Sequence, residues 1–157
     1  AMVNNLTPNI RKVNLSCQFK SSHLQDEHVK LLVERCNRIT ELNLGGRTSI
    51  TNVSVDSVAT HLNSSLEKLN VSKTQIDCTA LLQLRAVGTL KVLLWFQSDE
   101  FEDEDEDEEL KNLRKNLPQV GINEKKFYTR STFSQDYCDY ENGFWEIKAK
   151  AQKFFQN

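Results

Sequence analysis

Three asparagines, Asn14, Asn43 and Asn70, combine regular spacing with a clear hydrogen-bonding chemistry. Each is flanked by apolar residues at the same place of a recurring six-residue motif. An asparagine side chain carries an amide donor and a carbonyl acceptor. A column of them can therefore bind the main chain of an extended peptide. The same column can instead be a structural ladder or a set of polar residues that face water, and the sequence leaves these interpretations open.

Motifs for catalysis and metal binding are absent from the sequence. There is no glycine-rich phosphate loop, no His-Glu-x-x-His motif and no nucleophile elbow. The three histidines, His23, His28 and His61, are scattered, and the four cysteines form no Cys-x-x-Cys pair. We therefore predict a protein that is not an enzyme and has no catalytic residues, no metal site and no cofactor.

The asparagines belong to a motif whose first, fourth and sixth places are apolar. Its copies start at residues 10, 39, 66, 90 and 117, with steps of 29, 27, 24 and 27 residues. Such a period and motif are typical of leucine-rich repeats, in which each unit is a short strand followed by a helix. We predict an α/β fold, a short leucine-rich-repeat solenoid of about five strand–helix units with a parallel concave sheet and helices on the convex side.

The apolar periodicity between the motif copies indicates where the helices lie. Helical spacing predicts helices near residues 25–36, 53–62, 78–87 and 105–116. The motif copies themselves predict strands at 10–15, 39–44, 66–71, 90–96 and 117–122. Asp26 is the expected N-cap of the first helix, because a carboxylate there can accept the first unpaired backbone N–H groups.

The last part of the chain breaks the repeat. Residues 123–157 contain five of the eight phenylalanines and all three tyrosines. Disordered segments usually have few aromatic residues, so we expect this aromatic tail to dock on the solenoid through Phe144, Trp145 and Ile147. The solenoid then covers residues 10–122, and residues 1–9 are a tag or the remnant of an N-terminal cap.

Strand side chains alternate between two faces, which divides each motif between the core and the concave surface. Places four and six should enter the core, whereas places three, five and seven should face the open concave side. The fifth repeat contributes Gln119, Gly121 and Asn123 there. The predicted binding residues on this concave face are Lys12, Asn14, Glu41, Asn43, Lys68, Asn70, Val92, Leu94 and Phe96.

The concave face changes character at the fourth repeat, where Val92, Leu94 and Phe96 form an apolar row. Soluble proteins mostly cover or use such a patch. The row is either an anchor site for a partner or the docking site of the aromatic tail. We favour the tail, since burying one such side chain contributes about 1.5–3 kcal/mol.

Charge and cysteine usage narrow the expected partners. Residues 99–109 hold ten of the 22 carboxylates, and such an acidic block repels nucleic acid. No apolar run approaches the roughly 18 residues of a membrane span. The cysteines lie far apart, at positions 17, 36, 78 and 138, which fits a reducing compartment. We predict a cytoplasmic or nuclear protein that binds neither nucleic acid nor membranes.

Several segments resemble a known family. The repeats that contain ERCNRI at residues 34–39 and TSIT at 48–51 resemble the cysteine-containing repeats of F-box/leucine-rich-repeat proteins. The stretches VGTLK at 87–91, LPQVGIN at 117–123 and ENGFWEIK at 141–148 are similar to the C-terminal repeats and terminal segment found in that family. The resemblance covers the chain from about residue 10 to its end.

The resemblance implies a substrate-recognition module. In that family an F-box docks on the adaptor of an SCF-type ubiquitin ligase, and the repeats hold the substrate. We find no F-box in this sequence, so the adaptor becomes a partner only through an F-box further upstream, or the chain is an F-box-less relative. The expected ligand is a protein or peptide on the concave face. The alternative is a general leucine-rich-repeat scaffold or interaction protein unrelated to ubiquitination.

Overall fold

A computed structural model of the chain describes residues 7–16, 24–97 and 108–124. Within these ranges five strands alternate with four α-helices. The strands are β1 (Lys12–Asn14), β2 (Glu41–Asn43), β3 (Lys68–Asn70), β4 (Val92–Leu94) and β5 (Gly121–Ile122). The helices are α1 (Asp26–Arg35), α2 (Asn52–His61), α3 (Cys78–Leu81) and α4 (Glu108–Asn116). A 3-10 helix, Leu82–Ala86, continues α3 directly.

The five strands form one parallel sheet in chain order, β1-β2-β3-β4-β5. Neighbouring helices contact each other in the same order, α1 with α2, α2 with α3, and α3 with α4. Each crossover between parallel strands therefore carries a helix, as parallel pairing requires. The α/β class and the parallel sheet that the sequence predicted are confirmed.

The core lies between the sheet and the helices. Side chains from places four and six of the first four motifs are at most 6% exposed, as predicted: Val13, Leu15, Leu42, Leu44, Leu69, Val71, Leu93 and Trp95. They form one cluster with Val29, Leu32 and Val33 of α1 and with apolar residues of the other helices. This continuous burial is the main stabilising contribution that holds the units together.

The register of β5 corrects the predicted fifth motif by two residues. Ile122 pairs with Leu93, and Gly121 pairs with Val92, positions that the sequence had assigned to Val120 and Gln119. The strand begins late because α4 runs to Asn116, after which the Leu117 N–H donates to the Leu113 carbonyl over 2.9 Å. A shift of two leaves every side chain on its predicted face.

The predicted N-cap of α1 is also wrong, because Gln25 holds that position and Asp26 is the first helical residue. The Asp26 carboxylate instead accepts three hydrogen bonds from the start of α2. They come from the Thr51 N–H at 2.9 Å, the Thr51 hydroxyl at 2.6 Å and the Ser54 hydroxyl at 2.6 Å. Thr51 is itself the N-cap of α2. Asp26 thus ties two neighbouring units together at their helix N-termini.

The central strand gives a direct test of the core. Leu69 of β3 is 1% exposed, so Leu69→Ala should lower the free energy of unfolding by about 2–5 kcal/mol through lost burial and the cavity left behind. Urea denaturation measures this loss. Leu31→Ala is the matched control, since Leu31 is 48% exposed, and its effect should stay within about 0.5 kcal/mol. Equal losses for the two variants would contradict the described core.

Asp26 makes stability depend on pH. Burial raises the pKa of Asp26, but the hydrogen bonds from Ser54 and Thr51 outweigh it and hold that pKa below its ordinary value of 3.8. A depressed pKa in the folded state gives stability that is present above the unfolded-state pKa and is lost as the pH falls through the folded-state pKa.

We therefore expect Asp26→Asn to destabilise the protein by about 1–3 kcal/mol at neutral pH. The difference from the wild type should shrink as the pH falls below about 4. Urea denaturation at several pH values measures it, with Asp56→Asn, at an exposed position of α2, as the control. A loss that is the same at neutral and acid pH would overturn the role given to the carboxylate.

Candidate functional site

The sheet brings all the predicted binding residues except Phe96 into two rows. Register places Lys12, Glu41, Lys68 and Val92 side by side, and Asn14, Asn43, Asn70 and Leu94 in a second row. None of these residues belongs to the core cluster that holds their neighbours along the strands. Because successive strand side chains point to opposite faces, the two rows lie on the side away from the helices. We call these residues, with Phe96, the second face.

Much of the second face is buried, which corrects the prediction that it is open. Asn14, Asn43 and Asn70 are 0% exposed, Val92 and Leu94 are 3% exposed, and Glu41 is 8% exposed. Lys12, Lys68 and Phe96 are partly exposed. The role of these residues in binding stays a prediction.

The burial of Val92 and Leu94 bears on the two explanations for the apolar row. Each is 3% exposed, so the row is not a bare surface. The tail residues expected to cover it, Phe144, Trp145 and Ile147, lie outside the described residues, as do most of the acidic block and of the segment 123–157. Docking by the tail therefore stays a prediction.

The oxygen atoms of the three asparagines have a structural role. Asn14 Oδ1 accepts the Ser16 N–H over 3.0 Å, and Asn70 Oδ1 accepts the Ser72 N–H over 3.0 Å. Asn43 Oδ1 accepts the Gly45 N–H over 2.9 Å in the same way. Each oxygen thus satisfies a backbone group two residues further on, where the strand ends, as Asn side chains commonly do in turns. The structural-ladder interpretation is correct for the oxygens.

The nitrogen atoms behave differently. Asn14 Nδ2 and Asn70 Nδ2 are buried and have no hydrogen-bond partner. A buried polar group without a partner costs about 1–3 kcal/mol, so such groups in a folded protein call for an explanation. These two amides are therefore buried donors of the second face whose hydrogen bonds are not made.

Leu94 of β4 interrupts the asparagine column, and the N–H group two residues further on, that of Phe96, donates instead to Ser72 Oγ over 3.0 Å. Asn123, which directly follows β5, bonds to the neighbouring residue Trp95. Asn123 Oδ1 accepts the Trp95 N–H over 2.7 Å, and Asn123 Nδ2 donates to the Trp95 carbonyl over 3.0 Å. In the predicted fifth motif Asn123 stands at place seven. The pair Ile122–Asn123 repeats the apolar–Asn pattern of Val13–Asn14, and that signal could have revealed the correct register.

Glu41 lies between two lysines on the neighbouring strands. Its Oε1 atom is 3.8 Å from Lys12 Nζ and 3.5 Å from Lys68 Nζ. The glutamate side chain is 10% exposed, whereas the lysine side chains are 29% and 36% exposed. The row therefore has one excess positive charge, and its lysines are the more accessible part.

An open groove of about 610 Å³ lies at the other end of the strands, around the residues that precede them. Most of its lining residues are of polar types, but several of them join one unit to the next. Thr89 Oγ1 donates to the Leu66 carbonyl over 2.7 Å, and Lys91 Nζ pairs with Glu67 Oε1 at 2.7 Å. The groove is lined by Arg11, Thr40, Ser64, Ser65, Glu67, Gly88, Thr89, Leu90, Lys91 and Gln119.

Two described cysteines, Cys36 and Cys78, are buried thiols that donate to the carbonyls of Thr7 and Glu109, each over 3.4 Å. Burial raises the pKa of Cys36, which disfavours the reactive thiolate. Within residues 7–16, 24–97 and 108–124, no group of three or more His, Cys, Asp or Glu side chains could hold a metal ion. No helix in that part of the chain is long and apolar enough to cross a membrane.

Comparison with known proteins adds no family to these observations. No family model matches the chain, and no curated protein matches it.

The charged row can be tested on its own. Glu41→Gln removes the carboxylate that both lysines contact, so the free energy of unfolding should fall by about 1 kcal/mol at low salt. The loss should shrink in 1 M salt, where the Debye length is about 3 Å. Chemical denaturation at the two salt concentrations measures it, and Asp56→Asn, at an exposed position of α2, is the control. A loss that does not depend on salt would show that Glu41 acts through packing.

Proposed function

We propose that the chain is a leucine-rich-repeat solenoid that binds a protein or peptide on the second face, which is the concave side of that solenoid. Parallel strands in chain order support the repeat. The residues aligned across neighbouring strands, 12, 41, 68, 92 and 121, also support it, because consecutive ones are separated by about one repeat length. The binding proposal is carried by one observation, the two buried amide donors without partners beside a charged row and an apolar row.

The parts of the second face would have different roles. Lys12, Lys68 and Phe96 are partly exposed and would contact the ligand first. The buried amides would supply directional hydrogen bonds, which give specificity because an unmatched ligand leaves them without partners. Val92 and Leu94 would supply apolar contact at the far end. In this proposal Phe144, Trp145 and Ile147 of the tail complete the surface over the apolar row.

The family resemblance suggests which kind of binding module this is. We infer a substrate receptor of an SCF-type ubiquitin ligase, in which these repeats hold the substrate and an upstream F-box contacts the adaptor. The alternative is a leucine-rich-repeat scaffold or interaction protein with no connection to ubiquitin. Neither function requires catalytic residues in this chain.

A pair of charge reversals tests binding on the second face. Lys68→Glu changes the charge of the lysine row, whereas Lys30→Glu changes an exposed lysine on α1, in the helix layer. Proteins that co-purify with the tagged wild-type chain from cells would be quantified by mass spectrometry for both variants. We expect a set of partners that Lys68→Glu loses by about tenfold and Lys30→Glu retains. Partners retained equally by both would place binding elsewhere.

The same purification distinguishes a ubiquitin-ligase receptor from a scaffold protein. With the natural full-length gene product, a receptor should bring down an SCF adaptor and a cullin together with its substrates. Partners that depend on Lys68 without any adaptor or cullin would leave the binding module in place and exclude the ubiquitin ligase role.

A further inference from the structure

We propose that the open groove at the starts of the strands is a second binding site, for an extended peptide that carries a carboxylate, a cation and a carboxylate at positions i, i+2 and i+4. This inference goes beyond the proposed function, because no residue of the second face lines the groove. It follows from three features of the described residues: the order of charges along the groove, their spacing and the hydrogen-bonding groups that the fold leaves unused.

Charges of both signs follow one another along the groove. The residues that precede β1 to β4 stand side by side, because the N–H group of each donates to the carbonyl of the one before it over 2.6–2.8 Å: Arg11, Thr40, Glu67 and Lys91. The row is therefore positive, neutral, negative and positive. Lys91 Nζ lies 2.7 Å from Glu67 Oε1, but these side chains are 70% and 39% exposed. Such exposed pairs contribute little to stability, so both groups can also contact a ligand.

The spacing of the two cations selects an extended ligand. Arg11 and Lys91 are three strand steps apart, which is about 14 Å at the usual strand spacing. In an extended peptide, residues i, i+2 and i+4 share one side, and i and i+4 are also about 14 Å apart. In a helix the same two residues are only about 6 Å apart. Carboxylates at i and i+4 therefore contact the two cations, and a cation at i+2 comes within reach of Glu67, which would repel an acidic residue there.

The groove also keeps exposed hydrogen-bonding groups that the fold does not use. Three of its hydroxyls donate to main-chain carbonyls of neighbouring units, those of Thr40, Ser65 and Thr89. In the described part of the chain, by contrast, the side chains of Ser64 and Gln119 make no hydrogen bond. Arg11 donates once, from Nη1 to the Arg38 carbonyl over 3.3 Å, and its other guanidinium N–H groups suit a carboxylate. Ser64, Gln119 and Arg11 are exposed, so a ligand reaches them directly from solvent.

Nuclear magnetic resonance of the whole ¹⁵N-labelled chain tests the site without any substitution. The probe is the peptide Glu-Thr-Lys-Thr-Glu with capped ends, added up to millimolar concentration, and the control is Lys-Thr-Glu-Thr-Lys, which reverses every charge. The Nε–H signal of Arg11 and the side-chain NH₂ signals of Gln119 should shift with the probe only. Those of Arg85 and Gln83, exposed on the 3-10 helix, should not move. No shift with the probe, or equal shifts with both peptides, would overturn the proposal.

A charge change in the middle of the row tests the selection at position i+2. The wild type should bind the probe more tightly than Glu-Thr-Glu-Thr-Glu, whereas Glu67→Lys should prefer the all-acidic peptide, because the repelling carboxylate has become a cation. Asp56→Lys, at an exposed position of α2, is the control and should keep the wild-type preference. An unchanged preference in folded Glu67→Lys contradicts the proposal, and if that variant fails to fold, the wild-type titration decides.

Single substitutions distinguish the groove from the second face. Arg11→Gln should weaken the affinity for the probe about two- to fivefold, as the loss of one exposed ion pair does, and Arg85→Gln should leave it unchanged. Lys68→Glu changes the second face and should also leave the affinity for the probe unchanged. A loss with Lys68→Glu as large as that with Arg11→Gln would place the peptide on the second face and overturn the proposal.

Discussion

The hydrogen bond between each strand-end asparagine and the N–H group two residues further on is the interaction on which the sheet depends. The strands have only two or three residues each, so much of the sheet consists of strand ends. Ser16 and Ser72 are 0% exposed, and their N–H groups would cost free energy if they were buried without an acceptor. An asparagine side-chain oxygen at the same position of β1, β2 and β3 accepts the hydrogen bond of such a strand-end N–H group in each case.

The same residue also links the fold to its proposed use. When the side-chain oxygen of an asparagine accepts a backbone hydrogen bond, its NH₂ group can still donate one. In Asn14 and Asn70 that NH₂ group is buried without a partner. A leucine at this place, as in β4, accepts no hydrogen bond, and Ser72 Oγ accepts the Phe96 N–H there over 3.0 Å. The asparagine column is therefore both a stabilising device and a row of donors aimed away from the core.

The sequence predicted the parts of the structure that follow from alternation and periodicity. The core residues from Val13 to Trp95 were predictable because period-two alternation within each strand decides which side chains are buried. Positions at which two local sequence signals compete were predicted wrongly. Leu117 fits the first place of a motif, yet it closes α4, and the strand starts later at Gly121. Asp26 looks like an N-cap, yet its carboxylate contacts Thr51 in the next unit, a partner that local sequence cannot identify.

The burial of the second face was not predictable from the motif. Alternation assigns Asn14, Asn43 and Asn70 correctly to the face away from the helices, but it says nothing about what else covers that face. Likewise, the free donors of Asn14 and Asn70 emerge only when each oxygen has been matched to a specific N–H group. The unpaired donors could therefore be found only from the hydrogen bonds of the structure, whereas the residues of the second face could be named from the sequence.

The most direct test of this account is amide hydrogen exchange of the free protein, measured residue by residue. If the asparagine oxygens hold the strand ends, the N–H groups of Ser16, Gly45 and Ser72 should exchange as slowly as those of Leu15, Leu44 and Val71, which bond to the neighbouring strands. Rapid exchange at Ser16, Gly45 and Ser72 beside a protected ladder would contradict it.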